Sequence, residues 1–214
     1  MIRWRRPEYH TPGLLRRLLE RLRGREQKLV RAAGEGPILL LSFPTGAAAV
    51  AEEVEAAYIH TLPSVSPATL GPYVRTLGRL PVLVVVLLRP LNPCGCLGHH
   101  HPRGAESRLA RRLIADLGSP VGEIDLAWEA IRRWQPRPLA SLAAVGFEDR
   151  LAEVHFSAAL LAVLLHELDH VAFPDKPERE IRANSNQFYS ALMDDLVLNE
   201  YGRRYGMAAP SPPS

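Results

Sequence analysis

The sequence predicts one helix-rich α+β domain with a small sheet, and three observations predict it. Residues 37 to 43 and 81 to 88 are short apolar runs between turn-forming residues, the pattern of buried strands. Longer segments around them repeat apolar residues every three to four positions, as helices do. The chain has 214 residues, 47% of them hydrophobic and 23% charged, which suits one domain with a sizeable core.

The elements follow in order. Thr11-Pro12 caps and starts a helix over residues 12 to 32, with Leu14, Leu15, Leu18, Leu19 and Leu22 on one face. Gly34-Glu35-Gly36 ends it, and the first strand follows over 37 to 43. Residues 46 to 60 are Ala-rich and read as a helix, with a weaker one near 67 to 78. The continuous β-branched run at 81 to 88 reads as a central strand. After a loop from 90 to 104, helices are expected over 105 to 117 and 124 to 134. Pro136 and Pro138 interrupt the chain before the longest apolar helix, 151 to 173. Pro174 and Pro177 break that helix, and a last helix or helix pair runs from about 178 to 204. This divides the chain into a basic amphipathic N-terminal helix (1–34), the α+β domain (35–207) and a disordered tail (208–214).

Composition narrows the function classes. The N-terminus is charged with no apolar region behind it, and no apolar run reaches the roughly 18 residues of a membrane span, so a cytoplasmic protein is expected. Cys94 and Cys96 are one residue apart, too close for an ordinary disulfide. Residues 1 to 31 hold ten Lys/Arg against Glu8, Glu20 and Glu26. That is a balance of +7, leaving −4 for the rest of a chain with net charge +3. The segment reads as a solvated helix face or as a contact for an acidic partner, nucleic acid or an anionic surface.

The chemistry concentrates in His166-Glu-Leu-Asp-His170. Two histidines four residues apart on a helix project from one face, so both imidazoles reach one metal ion, and Glu167 between them reaches a water on that ion. The preceding residues, 158 to 165, are apolar throughout, which marks a buried helix. Buried polar groups without partners cost several kcal/mol, about 2–7 for an unpaired one, and a zinc ion satisfies them. Hydrolytic zinc takes a third protein ligand and keeps a fourth position open. No histidine follows His170, and the downstream acids are Asp175, Glu178, Glu180, Asp194, Asp195 and Glu200. Zn2+ is therefore the expected cofactor, a peptide or protein the expected substrate, and Glu167 the expected general base. His155, Tyr189 and Tyr201 are candidate oxyanion donors. The run Cys94-Gly-Cys-Leu-Gly-His-His-His101 reads either as a solvated loop or as a second metal site.

Over residues 155 to 193 the chain resembles gluzincin metallopeptidases. With the His-Glu-Leu-Asp-His motif, Glu180-Ile-Arg-Ala-Asn184 is similar to the Glu-x-x-Ala-Asp/Asn element of the HtpX-like and ImmA/IrrE-like groups. The resemblance implies a zincin-like fold and zinc-dependent peptidase activity. It makes Glu180 the third zinc ligand and Asn184 the neighbour that orients a ligand histidine. It also admits a non-catalytic regulatory or binding role. The same five residues resemble the metal motif of peptide deformylases, where a cysteine completes the site. Gly95-Cys96-Leu97-Gly98 matches only the middle of that family's cysteine element. On that likeness Cys96 would replace Glu180.

Overall fold

The computed structural model describes residues 25–31, 36–101, 106–134 and 148–205. Five strands form one mixed sheet: β1 (Glu26–Arg31), β2 (Ile38–Phe43), β3 (Leu83–Arg89), β4 (Gly98–His100) and β5 (Gly122–Ala127). Their order is β1-β2-β3-β5-β4. The central β2, β3 and β5 are parallel, while β1 and β4 run antiparallel along the two edges. The helices are α1 (Ala48–Ala56), α2 (Pro67–Leu77), α3 (Arg108–Leu117), α4 (Trp128–Arg133), α5 (Glu148–Ala172) and α6 (Glu178–Tyr205). A π-helical turn, Ala57–Thr61, carries α1 on into Leu62–Ser64.

Successive side chains of a strand point to opposite faces, so both faces of this sheet need a cover. Leu39, Leu41, Val84, Val86, Ile124 and Leu126 pack into the larger core with α1 and α5. On the other face Leu40, Leu83, Val85 and Leu87 meet Leu109, Ala110 and Leu113 of α3. That explains why residues 38 to 41 and 83 to 88 are apolar at every position rather than alternating. Ser107 caps α3 by accepting from the Ala110 N–H at 3.0 Å. Gly118, at φ 63°, closes the helix in the left-handed conformation.

Helix α5 lies in the middle of the larger core, and Ala158 to Leu165 are buried on every side. Each fully buried leucine contributes roughly 1.5–3 kcal/mol, so Leu160, Leu161, Leu164 and Leu165 hold this helix firmly against the sheet. By length and composition Ala152–Ala172 is apolar enough to cross a bilayer, contrary to the expectation that no segment is. Most of it is buried inside the fold, as a core helix is.

The structure is mixed α/β with a five-stranded sheet, and it corrects three local expectations. Residues 26 to 31 form an edge strand rather than the end of a helix, because the free edge of β2 offers them a complete antiparallel ladder. Residues 122 to 127 form β5 rather than helix; only Trp128–Arg133 is helical. Its Glu123 and Asp125 alternate with Ile124 and Leu126, a period of two that fits a strand. Both acids are buried yet paired. Glu123 accepts from the N–H groups of Glu106 and Ser107 at 2.7 and 3.1 Å, and Asp125 meets Arg89 at 3.0 Å. Finally, β4 arises inside the expected 90 to 104 loop. The leucine repeat of the basic segment up to residue 24, the Pro136/Pro138 stretch and the tail from 208 lie outside the described residues.

Candidate metal centre

The last turns of α5 leave the apolar core and carry His166, Glu167, Asp169 and His170. One helical turn separates the two histidines, and their ring centroids are 5.0 Å apart. Phe173 to Pro177 then reverse the chain, and α6 begins with Glu178. Glu178 Oε2 lies 2.9 Å from His170 Nε2 and 3.7 Å from His166 Nε2. The ligand atoms of the three residues all lie within 4.8 Å of one another. A zinc ion sits about 2.0–2.2 Å from nitrogen and oxygen donors, so small side-chain adjustments bring all three onto one ion.

Glu180 and Asn184 are not brought to this position. Glu180 is 60% exposed in its side chain and lies 3.6 Å from Lys176. The inner face of α6 is set by its buried residues Ile181, Ser185, Phe188 and Leu192. Glu178 borders that face, and two residues along a helix is about 200° of rotation, so Glu180 points outward. His166 likewise has Ser185 as its hydrogen-bond partner, at 3.1 Å, rather than Asn184.

Ser185 decides which nitrogen of His166 carries the proton. Its hydroxyl donates to the Arg182 carbonyl at 3.1 Å, so Oγ is an acceptor toward the ring. His166 Nδ1–H therefore donates to Ser185, and the Nε2 lone pair faces Glu178. Burial holds the His166 ring below the usual histidine range, and a neutral ring is the form that ligates a metal. Partial burial pushes the Glu178 carboxyl up, but Arg182, His166 and His170 together hold it below the usual carboxylate range. Two imidazole nitrogens and an ionised carboxylate make a His2Glu donor set, which fits zinc with an open fourth position.

Glu167 is 4% exposed and lies against the edge strand β4. Burial, and then the charges of Glu178 and Asp125, push its carboxyl up to about 8. A nearby dication reverses that shift and favours the ionised base. Gly98 makes room for this side chain. A Cβ on residue 98 would stand 2.6 Å from Glu167 Cγ and 2.8 Å from Cδ, closer than real contacts allow. We expect Gly98→Ala to displace Glu167 and to destabilise the fold by about 1–3 kcal/mol, the usual cost of overpacking. Urea unfolding monitored by circular dichroism measures this. An unchanged midpoint would mean that Glu167 moves aside freely.

Two residues along β4, His100 stacks on His170 with ring centroids 4.1 Å apart and planes 8° from parallel. Its Nδ1 is 3.9 Å from Glu167 Oε2. Burial, then the neighbouring His170, pushes His100 down to about 4, so this ring is neutral near pH 7. Sequence reasoning placed His100 in a loop. The available signal was its pairing with Ile124 across the edge of the sheet, visible only once β5 is read as a strand.

The remaining sequence candidates serve other ends. Asp169, fully buried, accepts from Thr76 Oγ1 and Lys176 Nζ, both at 2.7 Å, tying α5 to α2 and to the turn before α6. His155 and Tyr189 meet edge to face, with ring centroids 6.0 Å apart. His155 lies eleven residues before His166, about 16 Å along the helix, too far to stabilise an oxyanion at the histidine pair. The side chain of Tyr201 lies outside the described residues. Cys96 groups with Cys94 and His99 rather than with His166 and His170. The sulfurs of the two cysteines make a disulfide-like contact despite their close spacing, because Gly95, at φ 72°, turns the chain and sets their Cα atoms 5.4 Å apart. Compared with known proteins, the chain matches no family model, no curated protein and no solved structure.

Proposed function

We propose that this chain is a zinc-dependent metallopeptidase in which His166, His170 and Glu178 hold the metal and Glu167 is the general base. The observation that carries the reading is the convergence of Glu178 Oε2 on both Nε2 atoms, with a buried carboxyl one residue from His166. A purely structural zinc site has no use for that second carboxyl. When bound, zinc supplies Lewis acidity that polarises a carbonyl and brings water toward deprotonation at neutral pH.

The protein's own groups supply the rest. Ser185 fixes the His166 tautomer and ring orientation. Glu167, walled by Gly98 and His100, takes the proton of the attacking water and hands it to the departing amine. Low local dielectric would strengthen its interaction with a cation held by His166, His170 and Glu178. His100 keeps a neutral ring over His170, excluding water from that side of the ligand. The reading includes a cytoplasmic setting; the one membrane-length described helix is packed into the core, which supports a chain that does not use it to span a bilayer. A deformylase-like site is less well supported, since Cys96 is grouped away from the histidine pair.

Metal removal tests the assignment. A quenched-fluorescence peptide library should be cleaved by the purified chain, cleavage should stop after dialysis against a chelator, and about one equivalent of zinc should restore it. Cleavage indifferent to the chelator would refute a zinc mechanism, and so would a zinc-loaded chain that cleaves nothing in the library.

A further inference from the structure

We infer that, once the Cys94–Cys96 bond is reduced, Cys94, Cys96 and His99 form a second metal site that takes a soft monovalent cation, Cu(I). The site is separate from the histidine pair of α5 and does not depend on its function. The two sulfurs and a His99 ring nitrogen all lie within 4.8 Å of one another. Half of the site is a hydrogen-bonded turn. The Gly95 N–H donates to the Asn92 carbonyl at 2.9 Å, and Asn92 Nδ2 donates to the Cys96 carbonyl at 3.2 Å. The Cys96 N–H points at Cys94 Sγ at 3.4 Å, and Asn92 Nδ2 lies 3.9 Å from Cys96 Sγ. Both contacts set an N–H donor beside a sulfur, where a metal-bound thiolate would accept it. The other half is rigid: His99 sits on β4, in register with Asp125 of β5. The backbone thus brings the three donor residues together before any cation arrives, and reduction frees the two sulfurs to separate around it.

The donor set decides which cation. Two thiolates select soft metals such as Cu(I) or zinc. A structural zinc site asks for four protein ligands. The neighbouring histidines do not supply the fourth, because His100 stacks on His170 and faces Glu167, while His101 is 3.2 Å from Glu106 and 3.6 Å from Asp125. Three donors from one short segment suit the low coordination number of Cu(I).

The disulfide and the metal are alternative states of the same sulfurs. A dithiol reductant gives two electrons and two protons to the Cys94–Cys96 bond and becomes a disulfide itself, leaving two thiols. Cu(I) then displaces both thiol protons and binds two thiolates and the imidazole.

The test is an anaerobic competition of the full chain against a chromogenic Cu(I) chelator. The reduced wild type should take one Cu(I) per chain, and the oxidised chain should take none. The Cys94→Ser/Cys96→Ser chain should lose this uptake. His99→Ala should weaken it by at least the 10–100-fold that losing even an outer supporting contact costs. His99 is exposed, so its circular dichroism melt should match the wild type and separate ligand loss from misfolding. A His166→Ala/His170→Ala chain should keep its copper. The inference is overturned if the reduced wild type takes no Cu(I), if copper stays on the double-serine chain, if His99→Ala binds as the wild type does, or if uptake disappears with the α5 histidines instead.

Discussion

Replacing Glu167 by Gln is expected to leave zinc bound and to slow peptide hydrolysis by about 10²–10⁴-fold, the usual contribution of a positioned base. The amide keeps the shape that fits against Gly98 and His100 but cannot accept a proton from water. Turnover measured beside metal content in the same preparation separates the two effects. Equal turnover would remove Glu167 from the mechanism, and lost zinc would make it a ligand instead. The substitution also carries a pH signature in the metal-free protein. Folding raises the Glu167 pKa to about 8, so the fold holds this proton more tightly than the unfolded chain does. Its stabilising effect is complete below the ordinary carboxyl range and disappears as pH rises through about 8. Metal-free wild type should therefore lose stability against Glu167→Gln between about pH 5 and 8, as read from urea midpoints.

Glu178→Ala should have the largest effect on metal. Among the described residues this carboxylate is the acid that approaches both imidazoles, so its removal takes away one ligand and its negative charge. Zinc affinity should fall by more than the 10–100-fold typical of losing an outer-shell partner. Glu180→Ala serves as the control. That side chain is exposed beside Lys176, and its loss should change stability by no more than about 0.5 kcal/mol and leave zinc in place. Isothermal titration with zinc compares the three chains. Loss of affinity in Glu180→Ala with retention in Glu178→Ala would restore the assignment implied by the gluzincin resemblance.

The two glutamates show where sequence reasoning stops. Strands β2 and β3 and helix α5 were legible because each carries a continuous apolar stretch and lies between breakers. His166, Glu167 and His170 were legible as one cluster because spacing along a single helix fixes their relative placement. Which acid of α6 meets them depends on the rotation of α6 about its own axis. That rotation is set by the burial of Ile181 and Phe188 against α5 and the core, a tertiary fact. Read as an inner face, Ile181, Ser185, Phe188 and Leu192 would have pointed to Glu178 and Ser185. Strand β4 is three residues long, too short for any periodicity, so Gly98 and His100 were hidden with it. In β5 the buried Glu123 and Asp125 resemble a solvated helix face until their partners, the α3 N-terminus and Arg89, are known.

Anomalous scattering at the zinc edge from crystals of the zinc-loaded chain measures the central arrangement directly. The expected result is a single strong peak between His166 Nε2, His170 Nε2 and the Glu178 carboxylate. A peak coordinated by Glu180 or Cys96, or none near the two histidines, would contradict it.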